Sequence, residues 1–174
     1  MNLDSHILLR LTACFLMSMV WYAAAAQSAP TPAAQPKETR LTDHARGPFD
    51  VKTTAQALSE KVADPTLGRM SLDKQYHGDL EASGKGEMLT VSTGVKGSGV
   101  YVAVERVTGT LQGRKGSFAL YHTGVMTRGT PELRITVVPD SGTEQLAGIA
   151  GTLSIQIENG KHSYDLEYTL PESK

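Results

Sequence analysis

The stretch VERVTGTLQGRKGSFALYHTGVM, residues 104–126, decides the fold, because its apolar residues recur with period two on either side of a glycine-marked turn. Gln112, Gly113, Arg114 and Lys115 read as that turn, so Leu111 faces Gly116 and each step back along one strand matches a step forward along the other. That register sets Glu105 opposite His122. Side chains alternate between the faces of a strand, which puts Phe118, Leu120, His122 and Met126 on the apolar, inward face and Ser117, Thr123 and Thr127 on the other. The chain turns again at Arg128, Gly129, Thr130 and Pro131. In the next strand Leu133, Ile135 and Val137 share one face, and the even loop length carries Val137 towards His122.

The same period extends outward from this hairpin, with turn residues at the spacing of an all-β sandwich or barrel. Strands are expected at about Phe49 to Thr53, Arg69 to Ala82, Glu87 to Thr93, Val100 to Leu111, Gly116 to Thr127, Glu132 to Pro139, Thr152 to Glu158 and Lys161 to Leu170. Ala55 to Ala63, rich in helix formers and closed by Asp64 and Pro65, reads as a single helical crossover. The last hairpin turns at Asn159 and Gly160, a pair suited to the positive φ angles of a type I′ turn. Its register pairs Ile157 with His162, Ile155 with Tyr164 and Leu153 with Leu166. His162, Tyr164 and Tyr168 therefore point inward with the aliphatics, while Ser163, Asp165 and Glu167 face solvent.

Residues 1–26 read as a signal peptide. Arg10 precedes an apolar run from Leu11 to Tyr22, and the small Ala24 and Ala26 suit cleavage before Gln27. A rival reading takes Leu11, Thr12, Ala13 and Cys14 as a lipoprotein box with Cys14 lipidated. The apolar run is shorter than the roughly 20 residues a bilayer core requires. Both preferred readings place the protein outside the cytoplasm, periplasmic or secreted, with no membrane contact after cleavage unless Cys14 carries lipid. Residues 27–46, rich in Ala, Pro, Gln, Ser and Thr, read as a flexible linker, and residues 47–174 as the folded domain.

Cleavage removes the only Cys and the only Trp of the chain, which excludes a disulfide, a thiolate nucleophile and a cysteine metal ligand from the mature domain. With 17 Lys and Arg against 18 Asp and Glu, and no cluster of bases beside aromatics, the chain lacks the electrostatic footprint of a nucleic-acid binder. Gly109, Gly113 and Gly116 lack phosphate-loop spacing, and no cofactor is implied.

Three segments together resemble a known family: residues 104–126 above, VVPDSGTEQLAGIAGTLSI from Val137 to Ile155, and HSYDLEYTL from His162 to Leu170. With YHGDLEASGKGEML, Tyr76 to Leu89, the resemblance covers well over half the chain, and it is to the bacterial domain-of-unknown-function family 3224. That family is similar in fold to the allene oxide cyclase and dirigent barrels. The resemblance implies an eight-stranded antiparallel barrel, in agreement with the independent strand count, and brings no substrate with it. A barrel of eight strands is just wide enough to be filled by side chains or to hold one small ligand.

Glu105 and His122 are the candidate catalytic residues, and two readings of them stand. A carboxylate beside an imidazole on the dry side of a sheet has coupled protonation equilibria and suits an acid and base pair. In that reading Tyr101 or Tyr164 orients a ligand, and Met126 and Val137 complete its surroundings. The chemistry is that of a cofactor-independent isomerase or cyclase. In the other reading the pair satisfies its own buried polarity and fixes register while the barrel binds a small apolar molecule. A metal held by Glu105, His122 and His162 is disfavoured because His162 adjoins the Asn159 turn. Ser117 faces away from His122, which argues against a Ser-His-Asp triad. An outer face carrying Val100, Val102, Val104 and Tyr121 raises self-association into a homo-oligomer as a third expectation.

Overall fold

A computed structural model describes residues 42–62 and 64–171; the expected signal peptide and most of the expected linker lie outside the described residues. Eight antiparallel strands close into a barrel in chain order: β1 Thr42–Gln56, β2 Leu67–Tyr76, β3 Leu80–Ser92, β4 Gly99–Leu111, β5 Arg114–Thr127, β6 Thr130–Val137, β7 Ala150–Glu158 and β8 Lys161–Thr169. Closure comes from β1. Its first half, Thr42 to Phe49, pairs with β8 and its second half, Phe49 to Gln56, pairs with β2. Closing the sheet removes both of its free edges.

Strand β1 begins at Thr42, upstream of the expected domain start at Gly47, and runs on to Gln56. The helical crossover expected over Ala55 to Ala63 is absent, since Ala55 and Gln56 are paired with Met70 and Arg69 and the described residues after Gln56 form loop and turn. The helix preference of Ala, Gln and Leu is worth tenths of a kcal/mol per residue, less than the ladder that closes the barrel. The single strand expected from Arg69 to Ala82 is two, broken at Gly78, whose φ of 93° turns the chain.

The expected four-residue turns at Gln112 and Arg128 are two-residue turns. Gln112 and Gly113 have φ of 46° and 82°, Arg128 and Gly129 have 49° and 92°, and Asn159 and Gly160 have 51° and 76°. All three hairpins thus carry positive φ at both central positions, as type I′ turns require. Leu111 consequently pairs with Arg114 and not with Gly116, so Ala103 lies opposite His122 and Glu105 opposite Leu120. A shift of two residues preserves the face of every side chain. The Asn159 hairpin has the expected register throughout.

Inward side chains fill one end of the barrel. Leu80, Leu111, Phe118, Leu120, Ile135, Val137, Leu166 and Tyr168 are buried there, each such side chain contributing about 1.5–3 kcal/mol on leaving water. The loop from Val138 to Ile149 adds Leu146 and Ile149 to that core. It is clasped to β5: Ala119 N–H donates to Ser141 Oγ, Ser117 N–H to Thr143 Oγ1, and Thr143 N–H to the Ser117 carbonyl, each at 2.9 Å. The opposite end, with the turns at Arg128 and Asn159, remains open.

Candidate functional site

Alternation places Leu72, Lys74 and Tyr76 of β2 on the inner face, so a lysine enters the barrel. Its ammonium donates to Glu105 Oε2 at 2.8 Å and to the Tyr76 hydroxyl at 3.2 Å. Tyr76 in turn donates to Glu105 Oε1 at 2.9 Å. The Glu105 side chain is wholly buried and that of Lys74 is 5% exposed. His122 completes the group, its buried Nε2 lying 3.2 Å from Glu105 Oε2 without the alignment of a hydrogen bond. The pair read from the sequence is therefore in contact, diagonally across β4 and β5.

Burial raises the Glu105 carboxyl, but His122 and the Lys74 ammonium together outweigh it and hold the group below the usual carboxylate range. Burial and the adjacent carboxylate both push the Tyr76 phenol upward, so it stays a hydrogen-bond donor. Room for this carboxylate comes from Gly84 on β3, where a Cβ would collide with Glu105 Oε1 and crowd the Tyr76 ring. The Lys74 ammonium also lies 5.4 Å from the centre of the Phe49 ring and 5.6 Å from that of Tyr76.

Above these groups the barrel is hollow. A cavity of about 570 Å³ is walled by Phe49, Val51, Leu72, Met88, Tyr101, Met126, Leu133 and Ile155 among others, with Lys74 and His122 also on its lining. That volume lies in the range of small-molecule sites, and so does the composition of an apolar wall with few polar groups. Glu105 is not on the lining: it sits behind Lys74 and His122 and anchors them.

Of the residues expected at the site, His122, Tyr101 and Met126 line this cavity, and the Tyr101 ring lies against Gly124, where no Cβ would fit. Val137 does not. The shorter turn at Arg128 moves it opposite Leu120, into the packed core, and leaves Ile135 opposite His122. Tyr164 is also outside the wall. Its hydroxyl accepts from Leu80 N–H and donates to the His77 carbonyl, both at 2.9 Å, which makes it a clasp on the β2 to β3 turn. Burial pushes its phenol up to about 12. His162 lies on the lining with its ring centre 5.2 Å from that of Phe49.

Neither Lys74 nor Tyr76 was placed at the site from the sequence. The signal was present, since period two puts Lys74 between Leu72 and Tyr76, yet a lysine in a strand more often faces water. The interior glycines Gly84 and Gly124 carried a second signal, because glycine within a strand marks a close approach.

The outer faces of β3, β4 and β5 carry Leu89, Val91, Val100, Val102, Val104, Tyr121 and Val125, all exposed. These positions are neighbours across the sheet, as in the pairs Leu89 with Val102, Val91 with Val100, Val104 with Tyr121 and Val100 with Val125.

No curated protein matches the chain. A crystal structure of a protein with unknown function from the DUF3224 family of Shewanella oneidensis MR-1 is similar at 46% identity and a TM-score of 0.70, covering 77% of this chain and all of that one. The family model described as protein of unknown function (DUF3224) matches residues 45–168, the length of the barrel from β1 to β8. The chain belongs to the DUF3224 family.

Proposed function

We propose that this protein is an exported binding module that holds one small, mostly apolar molecule in the open end of its barrel. The observation that carries the reading is the 570 Å³ cavity with an apolar wall and a polar floor. A barrel whose only task was to be stable would gain by filling that space, since each buried side chain is worth about 1.5–3 kcal/mol. The leader-like run before Gln27 supports export.

The rival reading, a cofactor-independent isomerase or cyclase with Glu105 and His122 as acid and base, draws less support from the same geometry. A base must reach the proton it takes. Glu105 is shielded from the cavity and already accepts from Lys74 and Tyr76, so its place favours anchoring.

Titration with aminoanthracene, a neutral apolar fluorophore, tests the binding reading. The protein as purified from its exported location binds the probe with micromolar affinity, and Met88→Trp, which fills the cavity from its wall, weakens binding at least tenfold. Absence of binding, or affinity untouched by Met88→Trp in a folded variant, refutes it. The mass of the purified chain, starting at Gln27 or carrying lipid on Cys14, decides the export route.

A second reading concerns the outer face of β3 to β5, which supports packing of two copies of this chain. Its seven exposed apolar side chains adjoin one another across three strands, and contiguous apolar patches of this kind mark association surfaces. An ordinary interface buries roughly 800 Å² per partner, with an apolar centre of the kind this face offers. The flanks of the face carry charge pairs matched within each copy, Arg69 with Glu87 on one and Arg134 with Glu132 on the other, so neither flank presents a single sign to repel a second copy.

A further inference from the structure

We infer that the molecule held in the barrel carries an uncharged hydrogen-bond acceptor, an oxygen of the ketone, aldehyde, ester or lactone class, seated on the Lys74 ammonium beside His122 at the cavity floor. This deepens the binding reading and rests on it.

The first half of the argument is donor counting. An ammonium has three protons and no acceptor. Lys74 commits one to Glu105 Oε2 and one to the Tyr76 hydroxyl, and no described residue takes the third. His122 is 4% exposed, lines the cavity, and its Nε2 makes no hydrogen bond among the described residues. Lys74, a donor only, thus meets an otherwise apolar space beside an imidazole whose Nε2 is turned to Glu105. Acceptor groups on the floor are already turned inward: both Glu105 oxygens are occupied by Lys74 and Tyr76 and stand behind the lining. A ligand oxygen therefore finds the third Lys74 proton, while a ligand donor finds both carboxylate oxygens of the floor already engaged.

The second half is charge balance. Lys74 and Glu105 cancel, in contact at 2.8 Å. A carboxylate on the ligand would add a negative charge with no Lys or Arg on the lining beyond Lys74, which Glu105 already matches. Burying an unmatched charge costs far more than burying a carbonyl that is hydrogen-bonded. A cationic group meets the Lys74 ammonium at the floor. A neutral acceptor satisfies the open donor position without disturbing the balance.

Three probes of nearly the same shape test this: acetylnaphthalene, isopropenylnaphthalene and naphthoate. Acetylnaphthalene is expected to bind at least tenfold more tightly than either of the others, with its carbonyl stretching band shifted to lower frequency in the complex. In the paired substitution Lys74→Met with Glu105→Gln, which leaves the site's charge sum at zero, the preference for acetylnaphthalene over the hydrocarbon falls to within twofold. Should that variant fail to fold, the carbonyl shift in the unaltered protein decides. Tightest binding by naphthoate, or equal binding of the ketone and hydrocarbon with an unshifted carbonyl band, overturns the inference and leaves the binding module standing. Failure of all three probes and of aminoanthracene removes the binding module itself.

Discussion

Replacing Lys74 by Met is the sharpest test of how the floor is held. The substitution keeps the length of the side chain and deletes the ammonium, leaving the wholly buried Glu105 carboxylate with Tyr76 and His122 alone. Because both partners are almost free of solvent, screening does not soften the loss, and removing one member of such a pair costs about 3–5 kcal/mol. For a domain of this size the melting temperature falls by about 10–20 °C. Acidity distinguishes this mechanism from lost packing. In the unaltered protein the Glu105 carboxyl is held below the usual range, so its contribution is present above the unfolded value near pH 4.3 and is lost as pH falls through the folded value. Without the ammonium, burial is opposed by His122 alone and the carboxyl rises from its folded value, so Lys74→Met gains less stability than the unaltered protein as pH rises from about 4.3. The gap between the two proteins is therefore widest near neutral pH and closes towards pH 4. Urea unfolding followed by circular dichroism from pH 4 to 8 measures it, and adding Glu105→Gln to Lys74→Met restores most of the neutral-pH loss. A gap below about 1 kcal/mol, or one that does not change with pH, refutes the reasoning.

Three other outcomes follow from the geometry. Gly84→Ala drives a methyl into the Glu105 carboxylate and destabilises the barrel by about 2–4 kcal/mol in thermal unfolding, though alanine usually strengthens a strand relative to glycine. Arg128→Asn stabilises the protein by about 0.5 kcal/mol, because φ of 49° suits asparagine better than arginine and only the backbone of Arg128 is engaged, its N–H donating to Ser98 Oγ; chemical denaturation midpoints check it. Val104→Asp, at the most exposed side chain of that face, is expected to abolish the proposed pairing of two copies in light scattering across a concentration series, while circular dichroism and aminoanthracene binding are unchanged.

The site was partly legible. Glu105 and His122 were brought to one face by parity alone, and parity survived an error of two residues in the turn at Gln112, because strand faces repeat every two positions. Val137 had no such protection: its depth along the barrel depends on register itself, and the tight turn at Arg128 and Gly129 moved it from the site to the core. Asn159 and Gly160 announce their turn by composition, whereas Gln112 with Gly113 and Arg128 with Gly129 adopt the same positive φ angles with a first residue that does not prefer them.

By itself the sequence determined an all-β domain, the number of strands, the inward face of most of them and the company of an acid and an imidazole, because alternation and turn chemistry act over a few neighbouring residues. Barrel closure through the two halves of β1, the entry of Lys74 and the hollow above it were decided only in three dimensions. The reason is physical. Whether a lysine is buried, and whether space is left empty, depends on which groups distant strands bring together, and a charge enters an apolar interior only where a partner such as Glu105, thirty-one residues away, is already waiting.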